Sequence, residues 1–100
     1  MLVLDRVVGF EWDIGNARKN TSKHGVSQTE AEQMFFNEPL LVNRDLKHSD
    51  LESRFHALGR SDAGRLLHAT FTLRRDGTLI RVISARDMSR KEKHRYDQEI

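Results

Sequence analysis

Alternating apolar and polar positions open the chain and then give way to a helical pattern. Val7 to Trp12 alternates and is rich in β-branched and aromatic residues, which predicts a short first strand. Asp13 fits a helix N-cap, and the helix that follows is predicted to run to about Lys23. Gly25 supplies the left-handed residue that ends this helix. The first quarter of the chain is therefore predicted to be a strand and a helix.

A second helix is predicted to begin at once. Ser27 and Glu30 form the S-x-x-E capping box, in which each side chain satisfies a backbone donor at the helix start. Ala31, Met34 and Phe35 form an apolar stripe along it. The stripe indicates that the second helix buries one face.

The remainder of the chain is predicted to be mainly strands. Pro39 ends the second helical segment, and Leu40 to Asn43 is predicted to be a strand. Arg44 to Ser53 is polar and lacks periodicity, which predicts a loop. Three longer strands are then predicted at Arg54 to Gly59, Arg65 to Arg74 and Thr78 to Arg86.

Asp76 and Gly77 predict the turn of a β-hairpin. A type I′ turn needs positive φ at both central residues, which Asp-Gly adopts readily. The turn places Arg75 opposite Thr78 and fixes the register. An apolar face then holds Phe55, Ala57, Leu67, Ala69, Phe71, Leu73, Ile80, Val82, Ser84 and Arg86. The polar face holds Arg54, His56, Leu58, His68, Thr70, Thr72, Arg74, Leu79, Arg81, Ile83 and Ala85.

A last helix is predicted from Ser89, which forms a second capping box with Glu92, through Tyr96. The predicted order is β-α-α-β-β-β-β-α. Strands in direct succession favour an antiparallel sheet with helices packed on one face, an α+β fold. A chain of 100 residues is expected to form a single domain over residues 1–100.

Charge is unevenly distributed along this chain. The net charge is only +2, but basic residues are concentrated in the segment from Arg86 to Tyr96. Its basic residues are Arg86, Arg90, Lys91, Lys93 and Arg95, against Asp87 and Glu92. Such local excess charge is typical of a surface that binds phosphates.

Several classes of protein are disfavoured by the composition. The chain has no cysteine, and its five histidines lack metal-ligand spacing, so no disulfide framework and no metal cofactor are expected. Asp5 and Arg6 interrupt the apolar start too early for a signal peptide or a membrane span. A cytoplasmic location is therefore expected.

Candidate chemistry lies on the polar face of the predicted sheet. Arginines bind phosphates, and a histidine near its ordinary pKa can move a proton. Antiparallel sheets also commonly present one charged face to water, so a solvated surface is the alternative. Arg86 is predicted on the apolar side, where it either pairs with a carboxylate or points into a site. Glu11, Asp13 and Glu52 are the candidate partners.

Three other features have structural alternatives. Lys23 and His24 suit the dipole at a helix C-terminus, and the basic last helix suits a solvated surface. Trp12 either stacks on a base or packs the first helix against the sheet. Tyr96 either covers the core with its ring or uses its hydroxyl.

Short motifs in a matching order resemble the BrnT family of ribonuclease toxins. They are F-E-W-D from Phe10, K-H-G-V-S from Lys23, E-A at Glu30, R-F at Arg54, G-R at Gly59, G-R-L-L from Gly64, I-S-A-R ending at Arg86, and E-x-x-x-Y from Glu92 to Tyr96. Together they cover the chain from Phe10 to Tyr96. The resemblance implies a RelE-like fold and a toxin of a type II toxin–antitoxin pair that arrests growth. It also implies an antitoxin partner similar to BrnA, a ribbon-helix-helix DNA-binding protein.

The same resemblance implies an endoribonuclease that needs no metal. In such enzymes the RNA 2′-hydroxyl attacks the adjacent phosphate, which requires a base, an acid and positive charge. The candidate catalytic residues are His24, Arg54, His56, Arg81 and Arg86, with His56 or His24 moving the proton. The candidate RNA-binding residues are Lys23, Arg60, Arg65, Arg90 and Tyr96. The alternative function is a non-catalytic subunit that binds nucleic acid or forms a complex.

Overall fold

The computed structural model describes residues 4–48 and 52–100, and within them it contains five strands and three helices. They are β1 (Gly9–Glu11), α1 (Ile14–His24), α2 (Gln28–Gln33), β2 (Leu41–Asp45), β3 (Arg54–Arg60), β4 (Leu66–Arg74), β5 (Leu79–Asp87) and α3 (Arg90–Asp97). This order confirms the predicted α+β class. The predicted loop from Arg44 to Ser53 begins later than expected, because Arg44 and Asp45 extend β2. Residues 49–51 of that loop lie outside the described part of the chain.

The five strands form one sheet in the order β1-β5-β4-β3-β2. Three of the strand pairs are antiparallel, as expected. The fourth pair differs, since β1 lies parallel to β5 with Phe10 opposite Ile80. The sheet is therefore mixed, which corrects the prediction of an antiparallel sheet at this edge. No hairpin turn joins β1 to β5, so local sequence did not constrain their relative direction.

The hairpin between β4 and β5 turns where it was predicted to turn. The Thr78 N–H donates to the Arg75 carbonyl at 3.2 Å. Asp76 and Gly77 have φ values of 56° and 83°, as a type I′ turn requires. Arg75 also adopts a left-handed φ of 51°. Arg74 pairs with Leu79, which confirms the predicted register next to the turn.

A β-bulge in β5 changes the register further along the hairpin. Phe71 pairs with Val82, but Thr70 pairs with Ser84, so β5 contains one extra residue. Beyond the bulge every side chain of β5 points to the opposite face from the one predicted. Ala85 is fully buried in the main core, whereas Arg86 lies opposite His68 on the polar face. The predicted placement of Ser84 and Arg86 on the apolar face, and of Ala85 on the polar face, was wrong.

The main core lies between the apolar face of the sheet and the first two helices. Its buried members are Val26, Ala31, Met34, Phe55, Ala57, Leu67, Ala69, Phe71, Ile80, Val82 and Ala85. Trp12 packs against this cluster, and its indole N–H donates to a Glu32 carboxylate oxygen at 2.6 Å. The packing alternative for Trp12 is thereby supported.

Helix α1 also covers part of the β5 edge beyond the end of β1. The Asn16 side-chain amide donates to the Ile83 carbonyl at 2.8 Å, and the Asn20 side-chain oxygen accepts from the Ala85 N–H at 2.8 Å. The amide of the buried Asn20 donates to the Val26 carbonyl at 3.3 Å. These two asparagines satisfy backbone groups that the short strand β1 leaves without a strand partner.

The third helix packs on the other face of the sheet. Tyr96 is fully buried in a second cluster with Leu58 and Met88. Its hydroxyl donates to the Pro39 carbonyl at 2.6 Å. Leu58 belongs to the polar face by alternation, so it provides an apolar surface there for α3. The helices were expected to pack on one face of the sheet, and this expectation was wrong for α3, which packs on the polar face. Within residues 4–48 and 52–100, no helix is both long and apolar enough to cross a membrane.

Candidate active site

A pocket of about 490 Å³ lies on the polar face, where α3 meets the sheet. Four strands and one helix contribute its lining residues. They are Asn43, His56, Leu58, His68, Thr70, Arg86, Glu92 and Arg95. We call this the histidine pocket, because His56 and His68 line it with ring centroids 5.0 Å apart.

His56 is oriented by hydrogen bonds at both ring nitrogens. Nε2 lies 2.9 Å from Asp45 Oδ2, and Nδ1 lies 3.2 Å from Thr70 Oγ1. Asp45 also accepts from His48 Nδ1 at 3.0 Å and from the backbone N–H groups of Lys47 and His48. Burial tends to raise the pKa of Asp45, but the hydrogen bonds and charges of the two histidines outweigh this and lower it. Asp45 is therefore a carboxylate at neutral pH and a fixed acceptor for His56.

His68 has different surroundings. The residue is 8% exposed, and its Nδ1 has no hydrogen-bond partner within residues 4–48 and 52–100. Burial lowers the pKa of His68, and the charge of Arg86 lowers it further against the opposing effect of Glu92. His68 is therefore neutral at pH 7. A neutral imidazole beside an arginine can accept a proton.

Arg86 is held in place by Glu92. Its two terminal nitrogens donate to the two Glu92 oxygens at 2.8 and 3.0 Å, and one also donates to the Asp87 carbonyl at 3.1 Å. The same carboxylate accepts from the Ser89 N–H in the capping box of α3. The bond from Arg86 lowers the pKa of Glu92 to about 2, although partial burial opposes this shift. The partner of Arg86 is therefore Glu92, and not any of the three acids considered from the sequence.

The histidine pocket combines proton carriers with positive charge. Two imidazoles lie side by side at a tilt, and the arginines Arg86 and Arg95 border the same space. Such a set of groups can move protons and stabilise charge that develops on a phosphate. Among the described residues, no three histidine, aspartate or glutamate side chains are grouped so as to hold a metal ion.

The structure brings together only some of the predicted catalytic residues. His56 and Arg86 line the histidine pocket. Arg54 lies two residues before His56 on the same face of β3, opposite Thr72, and does not line it. Arg81 donates to Glu11 at 3.0 Å and lines a separate depression beside α1.

Three predicted residues lie near the end of α1. Lys23 is exposed and His24 is half-buried. Gly25 caps the helix with a φ of 66° and donates to the Thr21 carbonyl, which confirms the predicted cap. Arg65 donates to the Gly25 carbonyl at 2.9 Å and to Asp87 at 2.7 and 3.0 Å. It also contacts Glu30 at 3.2 Å, so its guanidinium joins the α1–α2 connection to the end of β5.

Three further residues were predicted to contact RNA. Arg60 and Arg90 are exposed, as such a contact requires. Tyr96 is buried, and burial raises the pKa of its hydroxyl. Because both its ring and its hydroxyl are engaged inside the protein, the structure favours packing over the predicted RNA contact for Tyr96.

Sequence reasoning missed several members of the histidine pocket. His68 and Thr70 were placed on the polar face but were not chosen as site residues. Glu92 was assigned to the capping box and to the E-x-x-x-Y motif, but not to the site. Asp45 was assigned to a loop, and nothing in its local sequence indicated contact with His56. Asn43 and Asp45 come close to His56 because β2 pairs with β3. No short turn joins these two strands, so the local sequence did not predict their pairing.

A family model identifies the family of this chain, and a solved structure shows a similar fold. The family model described as "Ribonuclease toxin, BrnT, of type II toxin-antitoxin system" matches residues 12–92. A solved structure of the Brucella abortus ribonuclease toxin BrnT is similar in fold, with a TM-score of 0.63 and 21% sequence identity. The match covers 84% of this chain and 100% of the Brucella chain. No curated protein matches the chain. The more distant likeness to RelE stays a prediction. The chain belongs to the BrnT family of ribonuclease toxins of type II toxin–antitoxin systems.

Proposed function

We propose that this protein is an endoribonuclease toxin that cleaves RNA at the histidine pocket without a metal ion. The observation that carries the proposal is the meeting of His56, His68 and Arg86 around one space of about 490 Å³. Asp45 is hydrogen-bonded to His56 and Glu92 to Arg86, and these bonds fix the orientation of the two side chains. The family description, a ribonuclease toxin, supports RNA as the substrate.

The proposed reaction is an intramolecular transfer within the RNA chain. The 2′-oxygen attacks the adjacent phosphorus, the bond to the 5′-oxygen breaks, and a 2′,3′-cyclic phosphate and a 5′-hydroxyl end result. The phosphorane that forms carries extra negative charge, which Arg86 stabilises. We assign proton transfer to His56, which lines the histidine pocket and whose ring is held by Asp45.

The RNA backbone is proposed to cross α3 and to follow the polar face along β3. Arg95 lines the histidine pocket, Arg90 is an exposed residue of α3, and Arg60 is an exposed residue at the end of β3. Arg54 lies on the same face of β3 as His56. Arginine binds phosphate oxygens through paired donors, so these residues hold the flanking phosphates. Lys23, His24 and Arg81 lie outside the histidine pocket, and we assign them no chemical step.

The proposed partner is an antitoxin similar to BrnA, with a ribbon-helix-helix DNA-binding domain. A type II toxin is silenced by a protein, and the family description supports such a partner. The proposed place of action is the cytoplasm, where expression without the antitoxin would arrest growth.

The test uses purified protein and RNA of mixed sequence, with and without EDTA. We expect cleavage that EDTA leaves unchanged and products that end in 2′,3′-cyclic phosphate and 5′-hydroxyl groups. Activity that EDTA abolishes and Mg²⁺ restores, or products with 5′-phosphates, would contradict the mechanism. A protein that binds RNA tightly but neither cleaves it nor arrests growth would fit the non-catalytic alternative.

A further inference from the structure

The two imidazoles of the histidine pocket are close together but differently surrounded. Their ring centroids lie 5.0 Å apart with an interplanar angle of 38°. The side chain of His56 is 38% exposed and touches a carboxylate, whereas His68 is buried against an arginine. When two neighbouring titratable groups have opposite surroundings, those surroundings indicate which is the acid and which is the base.

We propose that His68 is the general base of this site and His56 its general acid, with Asp45 as the positioning residue for His56. This assignment rests on the proposed function, since it distributes the two proton transfers of RNA cleavage. His68 is the new member of the pair, and sequence reasoning placed it only on the polar face.

The case for His56 as the acid comes from its hydrogen bonds. Asp45 Oδ2 lies 2.9 Å from Nε2 and provides a counter-charge for an imidazolium. With Nε2 held by Asp45, Nδ1 is the ring nitrogen left for substrate, and it lies 3.2 Å from Thr70 Oγ1 on the pocket wall, whose place the leaving oxygen takes. Nδ1 is therefore the atom that gives a proton to the leaving 5′-oxygen.

The case for His68 as the base comes from its burial and its charged neighbours. His56, Arg86, Glu92 and Arg95 are the charged or titratable groups that border the histidine pocket with it. Burial lowers the pKa of His68, and the charges of Arg86 and His56 lower it further against the opposing effect of Glu92. Nδ1 is buried, so Nε2 is the nitrogen we assign to the 2′-hydroxyl.

The two transfers balance the reaction. His68 Nε2 takes the proton of the 2′-hydroxyl as the 2′-oxygen bonds to phosphorus. The bond from phosphorus to the 5′-oxygen breaks, and that oxygen takes the proton of His56 Nδ1. His68 ends protonated and His56 neutral, and exchange of both protons with water restores the starting state.

The roles of general acid and general base can be separated with a substrate whose leaving group needs no proton. The probe is an oligoribonucleotide with one linkage that the wild-type protein cleaves, carrying either the natural 5′-oxygen or a bridging 5′-sulfur. We expect His56→Ala to lower the rate about 100- to 10,000-fold with oxygen, and far less with sulfur, because a thiolate leaves without a proton. His68→Ala should lower the rate by a similar factor on both substrates.

Controls separate chemistry from folding. His94→Ala removes an exposed histidine of α3 and should leave both rates unchanged. His68→Asn keeps a polar side chain in the buried position and should lose as much activity as His68→Ala. Asp45→Asn should lower the oxygen rate more than the sulfur rate, whereas a merely structural role would lower both equally.

A second measurement does not depend on activity. Long-range ¹H–¹⁵N spectra should show that His68 titrates below its ordinary pKa of 6.5, and the wild-type rate should rise with pH through that transition. A His68→Asn variant with the wild-type rate would overturn the assignment while leaving RNA cleavage in place. Sulfur rescue of His68→Ala but not of His56→Ala would reverse the roles. Failure of the wild-type protein to cleave either substrate would contradict the proposed function itself.

Discussion

Arg86 lies directly opposite His68 in the β4–β5 ladder, on the face of the sheet that strict alternation assigns to Ala85. The extra residue of the β-bulge, between the partners of Thr70 and Phe71, causes this reversal. It places a guanidinium beside two imidazoles and at the same time puts Ala85 into the main core. The candidate site therefore depends on an irregularity in the sheet.

The first prediction concerns this arginine. Arg86→Ala should lower the rate of RNA cleavage about 10- to 1000-fold, because the phosphorane loses a fixed positive charge. The measurement is single-turnover cleavage of an oligoribonucleotide by the purified variant. Arg18→Ala is the matched control, since Arg18 is an exposed arginine of α1 on a different part of the surface.

Arg81 was also a candidate catalytic residue in the sequence, and such a role would give Arg81→Ala the same loss of rate. In the structure Arg81 is bound to Glu11 and lies beside α1. If Arg81→Ala lost most of the activity while Arg86→Ala kept it, the reacting phosphate would have to lie at the β1 end of the sheet. The histidine pocket would then be the wrong site.

The second prediction concerns acid stability and the bond between Arg86 and Glu92. The pKa of Glu92 is lowered from 4.5 to about 2, so its stabilising effect is complete above pH 4.5 and is lost as pH falls through 2. Glu92→Gln should lower the free energy of unfolding by about 1 to 2 kcal/mol at pH 6, after discounting for partial exposure. Denaturant unfolding should show this difference shrinking between pH 4.5 and 2. A difference that stays constant over this range would contradict the assignment.

The third prediction concerns the buried Asn20, which joins α1 to β5. Asn20→Ala leaves the Ala85 N–H and the Val26 carbonyl without their side-chain partner and should cost about 2 to 3 kcal/mol of unfolding free energy. Asn16→Ala is the comparison, because Asn16 is only half-buried and should cost about 1 kcal/mol. Equal losses of unfolding free energy for the two variants, measured by thermal or denaturant unfolding, would contradict the greater cost expected for the buried asparagine.

The sequence predicted features that depend on neighbours along the chain. Both capping boxes, the Gly25 cap and the Asp76–Gly77 turn were predicted, because each is specified by a few adjacent residues. The predictions that were wrong concern contacts between segments that are distant along the chain. The parallel pairing of β1 with β5 and the contact between Asp45 and His56 join distant segments, and the bulge interrupts the alternation on which the predicted register relied. For that reason the sequence indicated a cationic surface, but the histidine pocket contains only His56 and Arg86 of the predicted catalytic residues.

The final prediction concerns inhibition by the antitoxin. The histidine pocket lies beside α3, so one surface carries both the proposed chemistry and the arginines proposed to hold RNA. An antitoxin that covers the polar face or the segment from Ser89 to Tyr96 blocks RNA directly. Acidic side chains on the antitoxin would complement Arg90 and Arg95 and speed its capture of newly made toxin.

We therefore expect the association rate of the purified pair to fall about tenfold or more as NaCl rises from 50 to 500 mM, because salt screens attraction between exposed charges. Stopped-flow fluorescence of Trp12, the single tryptophan, or of a labelled antitoxin follows the rate. Arg90→Ala combined with Arg95→Ala should flatten the salt dependence, and Arg18→Ala should leave it unchanged. Hydrogen exchange should show protection at the polar face or at α3. Protection confined to α2, with the histidine pocket still open to RNA, would exclude direct occlusion and require an allosteric mechanism instead.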